Sequence, residues 1–324
     1  VVTIGASFTG WSEMKRIQTR ADNRGVASID GWNIVVRGRW LKTAFVDDED
    51  WHDRPIMADP AGFAQGIRAS GLRADVFTFA QKIPDCKPRY PFPFEWDNVA
   101  AIPLISYQDW WRRLTSDRRK DVKRAEKQGI VVKRVGLDDN LVQGIVEINN
   151  DVPFRQGKRF KHYGKDFETV KREYATFPER SEFLAAYFSD ELVAILKMVY
   201  VGELACFLEI LSKTRYHDKR PINALISRAV EIGLEEKKTY LTYGRYQYGN
   251  KTHSSFTDFK QRNGFERIVF PRYFIPLTFK GRVALRLRWH RGLLGILPAP
   301  LVAVMLQLRA HLYKKLAQKE MNAE

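Results

Sequence analysis

Hydrophobic positions along this chain switch between a two-residue period and a period of three to four, which predicts strands and helices in alternation. In the first hundred residues, Trp32 to Val36 and Leu41 to Val46 are apolar-rich runs joined by Arg37-Gly38-Arg39, a hairpin pattern. Pro60 to Ser70 is predicted helical, with proline at its start and Gly71 just past its end. Ala74 to Gln81 alternates as a strand, and the prolines from Pro84 to Pro93 impose extended or turning backbone. Val99 to Pro103 reads as a short buried strand.

From Tyr107 to Gln128 the pattern predicts one long helix. Trp111, Leu114, Arg118, Val122 and Ala125 form one stripe, and Arg119, Lys123 and Lys127 repeat at four-residue spacing on another. Gly129 ends it. Ile130 to Val135 is then a strand, and Leu141 to Asn149 and Phe167 to Thr176 are helices. A meander follows, Glu182 to Phe188, Leu192 to Val201 and Leu204 to Ser212, joined by tight polar turns. Pro221 opens a helix to about Lys237, and Tyr240 to Tyr243 is a short strand. Ser254 to Asn263 is a short helix closed by Gly264, and Phe265 to Ile275 is an apolar strand.

Length and charge narrow the picture. A chain of 324 residues with 44% hydrophobic side chains supports one large or two medium domains and excludes global disorder. The excess of 54 Lys and Arg over 38 Asp and Glu gives +16, a field suited to nucleic acid, an anionic membrane or a phosphate-rich substrate. Cys86 and Cys206 are the only cysteines, and no histidine pair has ligand spacing, so a disulfide framework and metal catalysis are not expected. A reducing cytoplasm is the expected setting, and the first residues do not read as a secretory signal. The apolar stretch Gly292 to Leu308 is short and broken by Pro298 and Pro300, which argues against a membrane span.

Two pieces carry a resemblance. Arg119-Lys120-Asp121-Val122-Lys123-Arg124-Ala125-Glu126-Lys127-Gln128-Gly129-Ile130 resembles the basic helix of the FemABX-like proteins, and Phe259-Lys260 with Gly264-Phe265 resembles their F-K-x-x-x-G-F ending. The element order over 130–275 is similar to that of a GNAT-type acyltransferase domain. Ordinary GNAT acetyltransferases usually place a tyrosine where Lys260 stands. The resemblance implies an α/β (α+β) fold with a mixed, largely antiparallel sheet flanked by helices. It also implies two tandem GNAT-like units: a degenerate one over 1–106 and a catalytic one over 107–276, with 277–324 a basic amphipathic helical tail. The activity implied is amide formation, an aminoacyl or acyl group moving onto an amine of a phosphate-linked glycan or peptide. No tightly bound cofactor is implied, and the donor is either aminoacyl-tRNA or an acyl-CoA. A glycine-rich pyrophosphate turn is missing from Arg215 to Ala224, where Pro221 removes a donor, so coenzyme A held in the usual manner is disfavoured. Arg215, Lys219 and Arg220 would have to replace that cradle with charge.

The candidate residues follow from this reading. Lys260 would neutralise phosphate charge on donor or acceptor, its rival reading being a surface lysine. Glu209, a carboxylate on an apolar strand, would act as general base or orient the amine; the rival is an outward-facing side chain. Arg155, Lys158, His162 and Tyr163 interleave cations with rings in a polar loop, a pattern suited to a phosphorylated ligand or to a packed lid. Tyr243, Arg245, Tyr246 and Lys251 follow the strand expected to splay. Asn223 would donate to a donor carbonyl or serve as a cap. Arg119, Lys123 and Lys127 would track a tRNA backbone or form a solvated face. The basic tail 277–324 suits an anionic inner-membrane surface, with packing onto the domain as the rival. An acetyl-CoA-dependent N-acetyltransferase, and a non-catalytic nucleic-acid- or membrane-binding module, are the alternatives.

Overall fold

The computed structural model describes residues 26–53, 58–155, 158–247 and 255–291. Eleven strands join in one mixed sheet. The first half contributes β1 (Val26–Ile29), β2 (Trp32–Arg37), β3 (Thr43–Val46), β4 (Val76–Ala80) and β5 (Phe94–Pro103). The second contributes β6 (Val131–Val135), β9 (Ser181–Phe188), β10 (Glu191–Val201), β11 (Leu204–Ser212), β12 (Tyr240–Thr242) and β13 (Glu266–Pro276), while β7 (Phe154–Arg155) and β8 (Lys158–Arg159) form a separate hairpin. In space the order is β1-β2-β3-β4-β13-β5-β12-β11-β10-β9-β6. The last strand in sequence therefore lies between two early ones, antiparallel to both, with Phe274 opposite Thr78 on β4 and Val269 opposite Asn98 on β5. The expected boundary at 106/107 falls just after β5, and the sheet runs on across it.

Strand β10 explains why the meander is apolar on both sides: Val193, Ala194, Ile195, Leu196, Met198 and Val199 are all buried, because helices cover both faces. On one face α6 (Pro221–Glu235) packs Leu225, Ile226, Ala229 and Val230 against Leu184, Ala194 and Leu196. On the other, α4 (Asp139–Asn150) and α5 (Phe167–Tyr174) set Val142, Ile145 and Val170 against Ala185, Ile195 and Leu211. A second core under α1 (Pro60–Ala69) joins Phe63 and Ile67 to Ile34, Phe77, Tyr273 and Ile275. No helix among the described residues is long and apolar enough to cross a membrane.

The single helix expected from Tyr107 to Gln128 is two. α2 (Tyr107–Arg113) ends at Leu114, whose backbone is extended, and α3 (Ser116–Lys127) restarts behind Thr115, whose hydroxyl accepts from the Arg118 amide. Threonine competes for the backbone as a cap, and breaking the helix there lets Leu114 turn into the core. Arg119 folds back, its Nη1 donating to the Leu114 carbonyl at 2.7 Å, so its guanidinium closes α2. Of the basic tail, α8 (Phe279–Arg286) and the turn Trp289–Arg291 pack onto the domain: Lys280 lies 3.4 Å from Asp75, and His290 2.7 Å from Glu95. Residues 292–324 lie outside the described residues, as does Lys251.

Helix α7 (Ser255–Arg262) ends as the sequence predicts, by a left-handed glycine. Gly264 has φ 84°, the Phe265 amide donates to the Lys260 carbonyl at 3.0 Å, and the Gly264 amide to Gln261 at 3.1 Å. This paired closure ties Lys260, Gly264 and Phe265 into one unit and gives their spacing a physical reason. A Cβ on Gly264 would also stand 3.0 Å from Trp110, whose Nε1 donates to the neighbouring Asn263 carbonyl. Gly264→Ala is therefore expected to cost roughly 1–3 kcal/mol through the left-handed backbone and the Trp110 contact. Thermal unfolding should register this as a midpoint several degrees lower.

Candidate functional site

Strands β11 and β12 run parallel for only three rungs, Leu204 with Tyr240, Ala205 with Leu241 and Cys206 with Thr242. Beyond them β11 continues to Ser212. The other chain stays with β5 instead: the Tyr243 amide donates to the Ala100 carbonyl at 2.9 Å and the Ala100 amide to Gly244 at 2.8 Å. Gly244, at φ 54°, lets the backbone make that departure. On its far side β11 carries a bulge, since Glu209 pairs with Lys197 and Phe207 with Met198, leaving Leu208 over. The two strands thus separate at the centre of the sheet.

A cavity of about 360 Å³ lies at this separation. Cys206, Thr242, Gly244 and Arg245 form its floor, and the first half of the chain supplies walls from Phe45, the segment Asp47–Trp51, Lys82 and Asp97. Strand β13 sends in Phe270, Arg272 and Phe274. Arg272 binds Asp97 through Nε and Glu49 through Nη1, each at 2.9 Å, and Arg245 Nη2 reaches the same Asp97 oxygen at 2.9 Å. Burial opposes charge on Asp97, yet the two guanidiniums outweigh it and hold its carboxyl below the ordinary range. Burial likewise opposes the Arg272 cation, and Glu49 and Asp97 more than restore it.

Asp50 behaves differently. It is an exposed residue that lines the cavity, and among the described residues no hydrogen bond or ion pair engages it. Although the residue is exposed, desolvation by the surrounding cavity walls and then the Glu49 charge push it up to about 6, against Arg272, Lys82 and Arg245. Lys82 is lowered by its own burial and donates to the His52 carbonyl. Cys206 is pushed up to about 11, chiefly by burial, so its thiol stays protonated. Sequence reasoning missed this acidic segment. The available signal was Asp47-Asp48-Glu49-Asp50, four acids in succession after an apolar strand of a basic chain.

Lys260 is 2% exposed, which rules out the surface-lysine reading. Its ammonium donates to the Arg245 carbonyl and stands 4.9 Å from the centre of the Tyr243 ring. Burial brings it down to about 7. Lys260 does not line the cavity; it grips, from behind, the backbone that forms the cavity floor. Tyr243 is likewise interior, packed edge-on to Phe207 and Phe259. Asn223 is buried at the start of α6 and donates to Asn263 Oδ1 at 3.1 Å. Tyr246 packs against the same core.

Glu209 and His162 meet. Glu209 Oε1 lies 2.9 Å from His162 Nε2, off the line of a good hydrogen bond. Burial would raise Glu209, but His162, Lys161 and Lys165 bring it to about 2, below the range of a general base. Arg155 is buried, its guanidinium 3.8 Å from the centre of the Phe160 ring and bonded to the Ile148 carbonyl, which packs it inside the loop. Lys158 and Tyr163 are exposed on that loop. Arg215 is drawn onto Glu191, and Lys219 lies over the Phe188 ring at 4.5 Å. Lys123 and Lys127 are exposed on α3, Lys123 with its ammonium 5.8 Å from the Trp111 ring centre. At the N-terminus of α6, Arg118 at 2.8 Å and Arg220 at 3.0 Å share Asp121, and the Arg262 charge also bears on Arg118.

No protein-family model matches the chain, and no curated protein matches it. Solved structures do. FemX superposes with a TM-score of 0.52 at 11% identity, over 86% of this chain and 93% of that one. The DUF2156 C-terminal domain assigned to lysylphosphatidylglycerol synthetase from Agrobacterium fabrum gives 0.51 at 13% identity, over 82% and 86%. L-PGS from Bacillus licheniformis gives 0.50 at 11%, over 83% and 88%. The chain has the fold found in FemX and these synthetase domains.

Proposed function

We propose that this protein is an acyltransferase that forms an amide, with reaction at the point where β11 and β12 part. The parting of those strands beside a cavity carries the reading. A carbonyl inserted between diverging strands meets backbone groups released from the ladder, which can polarise it without a catalytic triad. The amine then needs only to be positioned and relieved of a proton.

Lys260 serves as a positioning residue in this reading. By holding the Arg245 carbonyl it keeps the chain after β12 drawn toward β5, and so keeps the strands apart. A phosphate-bearing donor is favoured by the Arg118, Arg220 and Arg262 group at the start of α6. An aminoacyl-tRNA and an acyl-CoA both present phosphate there. The absence of a glycine turn at Arg215–Ala224 favours the tRNA ester, and the nearness of that arginine group to the helix start favours the thioester as second reading. The acceptor proposed is an amine on a phosphate-linked glycan or peptide.

Three outcomes are expected. Given charged tRNA or acyl-CoA separately with a panel of primary amines, the purified protein forms an amide visible by mass spectrometry from one donor class. Product from neither would overturn the reading. Lys260→Met lowers kcat about tenfold or more while KM moves little, because strand geometry rather than binding is lost. The third outcome concerns stability. Burial lowers the folded-state pKa of Lys260 to about 7, so above that pH the unfolded chain holds a proton the folded one lacks. Wild-type stability therefore rises from pH 7 to 9 relative to Lys260→Met, by about 2 kcal/mol, and the difference is flat below pH 7. Urea denaturation of both proteins at pH 6, 7 and 9 measures it.

A further inference from the structure

We infer that the cavity at the strand separation seats the acceptor as a primary alkylammonium group, and that Asp50 is both its counter-ion and the base that takes its proton. This rests on the acyl-transfer reading, and it adds a residue from the opposite half of the chain to the chemistry.

Charge at the cavity runs against the charge of the molecule. In a chain of net charge +16, the cavity lining holds five carboxylates, Asp47, Asp48, Glu49, Asp50 and Asp97, against four Lys and Arg. Glu49 and Asp97 are consumed by Arg272 and Arg245. Asp50 is left facing the cavity with no partner among the described residues. Its position is set by the turn Glu49–Trp51, which follows Asp48 at φ 51° and is anchored by Trp51 in the apolar cluster with Val199, Val201 and Cys206. An aspartate tolerates that left-handed backbone better than most residues.

Asp50 also stands where chemistry would occur. Its charge bears on the Cys206 thiol, and Cys206 is the last residue of β11 still paired with β12. The groups that act on Asp50 are Glu49 on its own turn, Lys82 after β4, Arg272 on β13, Arg245 after β12 and Cys206 on β11. Phe45, Phe207 and Phe270 give the same space apolar, aromatic walls, which suit a methylene chain and the cation it ends in. A cavity of about 360 Å³ holds a small aminoalkyl group of that kind.

The step balances simply. The ammonium gives one proton to the Asp50 carboxylate and becomes a neutral amine. Its lone pair forms the new N–C bond to the acyl carbon, the bond from that carbon to the donor's oxygen or sulfur breaks, and the second nitrogen proton goes to that leaving atom. Asp50 then returns its proton to solvent. With its pKa about 6, the carboxylate is ionised at neutral pH while remaining a stronger base than an ordinary aspartate.

Binding and turnover test this separately. By calorimetry on the full chain, n-butylamine should bind wild type and n-butanol should not. Asp50→Asn should bind the amine about tenfold more weakly or worse, with no fall in thermal midpoint, because a carboxylate whose pKa is raised on folding contributes no stability at neutral pH and supports no other contact. If Asp50→Asn binds the amine as well as wild type does, the proposal is overturned. In turnover with the accepted donor, kcat/KM should climb through an acidic limb near pH 6 that Asp50→Asn removes, with a loss of about a hundredfold or more. Asp50→Glu, which keeps a carboxylate, should retain the limb. A limb unchanged in Asp50→Asn would overturn the role as base. Amine binding that depends on Asp50 in a protein that acylates nothing would uphold the ammonium site and sink the acyl-transfer reading.

Discussion

A guanidinium in the middle of a sheet governs the rest of this molecule. Arg272 sits on β13 with 17% of its side chain exposed, and such a cation persists only if carboxylates replace the water it loses. Glu49 comes from the turn after β3 and Asp97 from β5, so satisfying one charge fixes the relation of three separate segments. Glu49 is held in turn by the Ala80 amide at the end of β4. The cavity keeps its shape because these partners cannot be rearranged without stranding a buried charge. Asp50, next to Glu49 in the chain, inherits its place from that arrangement and stays outside the exchange of ion pairs.

Much of the sheet was legible in the sequence because its information is local. The meander β9 to β11, the proline that opens α6 and the glycine that closes α7 each announce themselves within a few residues. The break at Leu114 was hidden, because the residues on either side of Thr115 keep a helical period and only the cap interrupts it. The pairing of β13 with β4 and β5 could not be read at all. Register between segments nearly two hundred residues apart leaves no local trace.

Lys260 announced itself through its spacing to Gly264, but spacing cannot tell whether an ammonium faces a ligand or a carbonyl. Basic side chains drew attention because the chain is basic, and several of them turned out to be engaged within the fold: Arg119 on α2, Arg155 on Phe160 and Arg215 on Glu191. The acidic run at Asp47 drew no attention in a chain of net charge +16. Its importance comes from what folds over it.

Placing the final strand between two early ones also shapes how the protein comes into being. While the chain is being synthesised, β4 and β5 emerge long before the strand that joins them, so each carries an open edge until residue 276 has left the ribosome. Those edges hold unpaired backbone groups able to pair with whatever strand arrives first. A ribosome stalled before that point leaves a sheet with a gap at its centre.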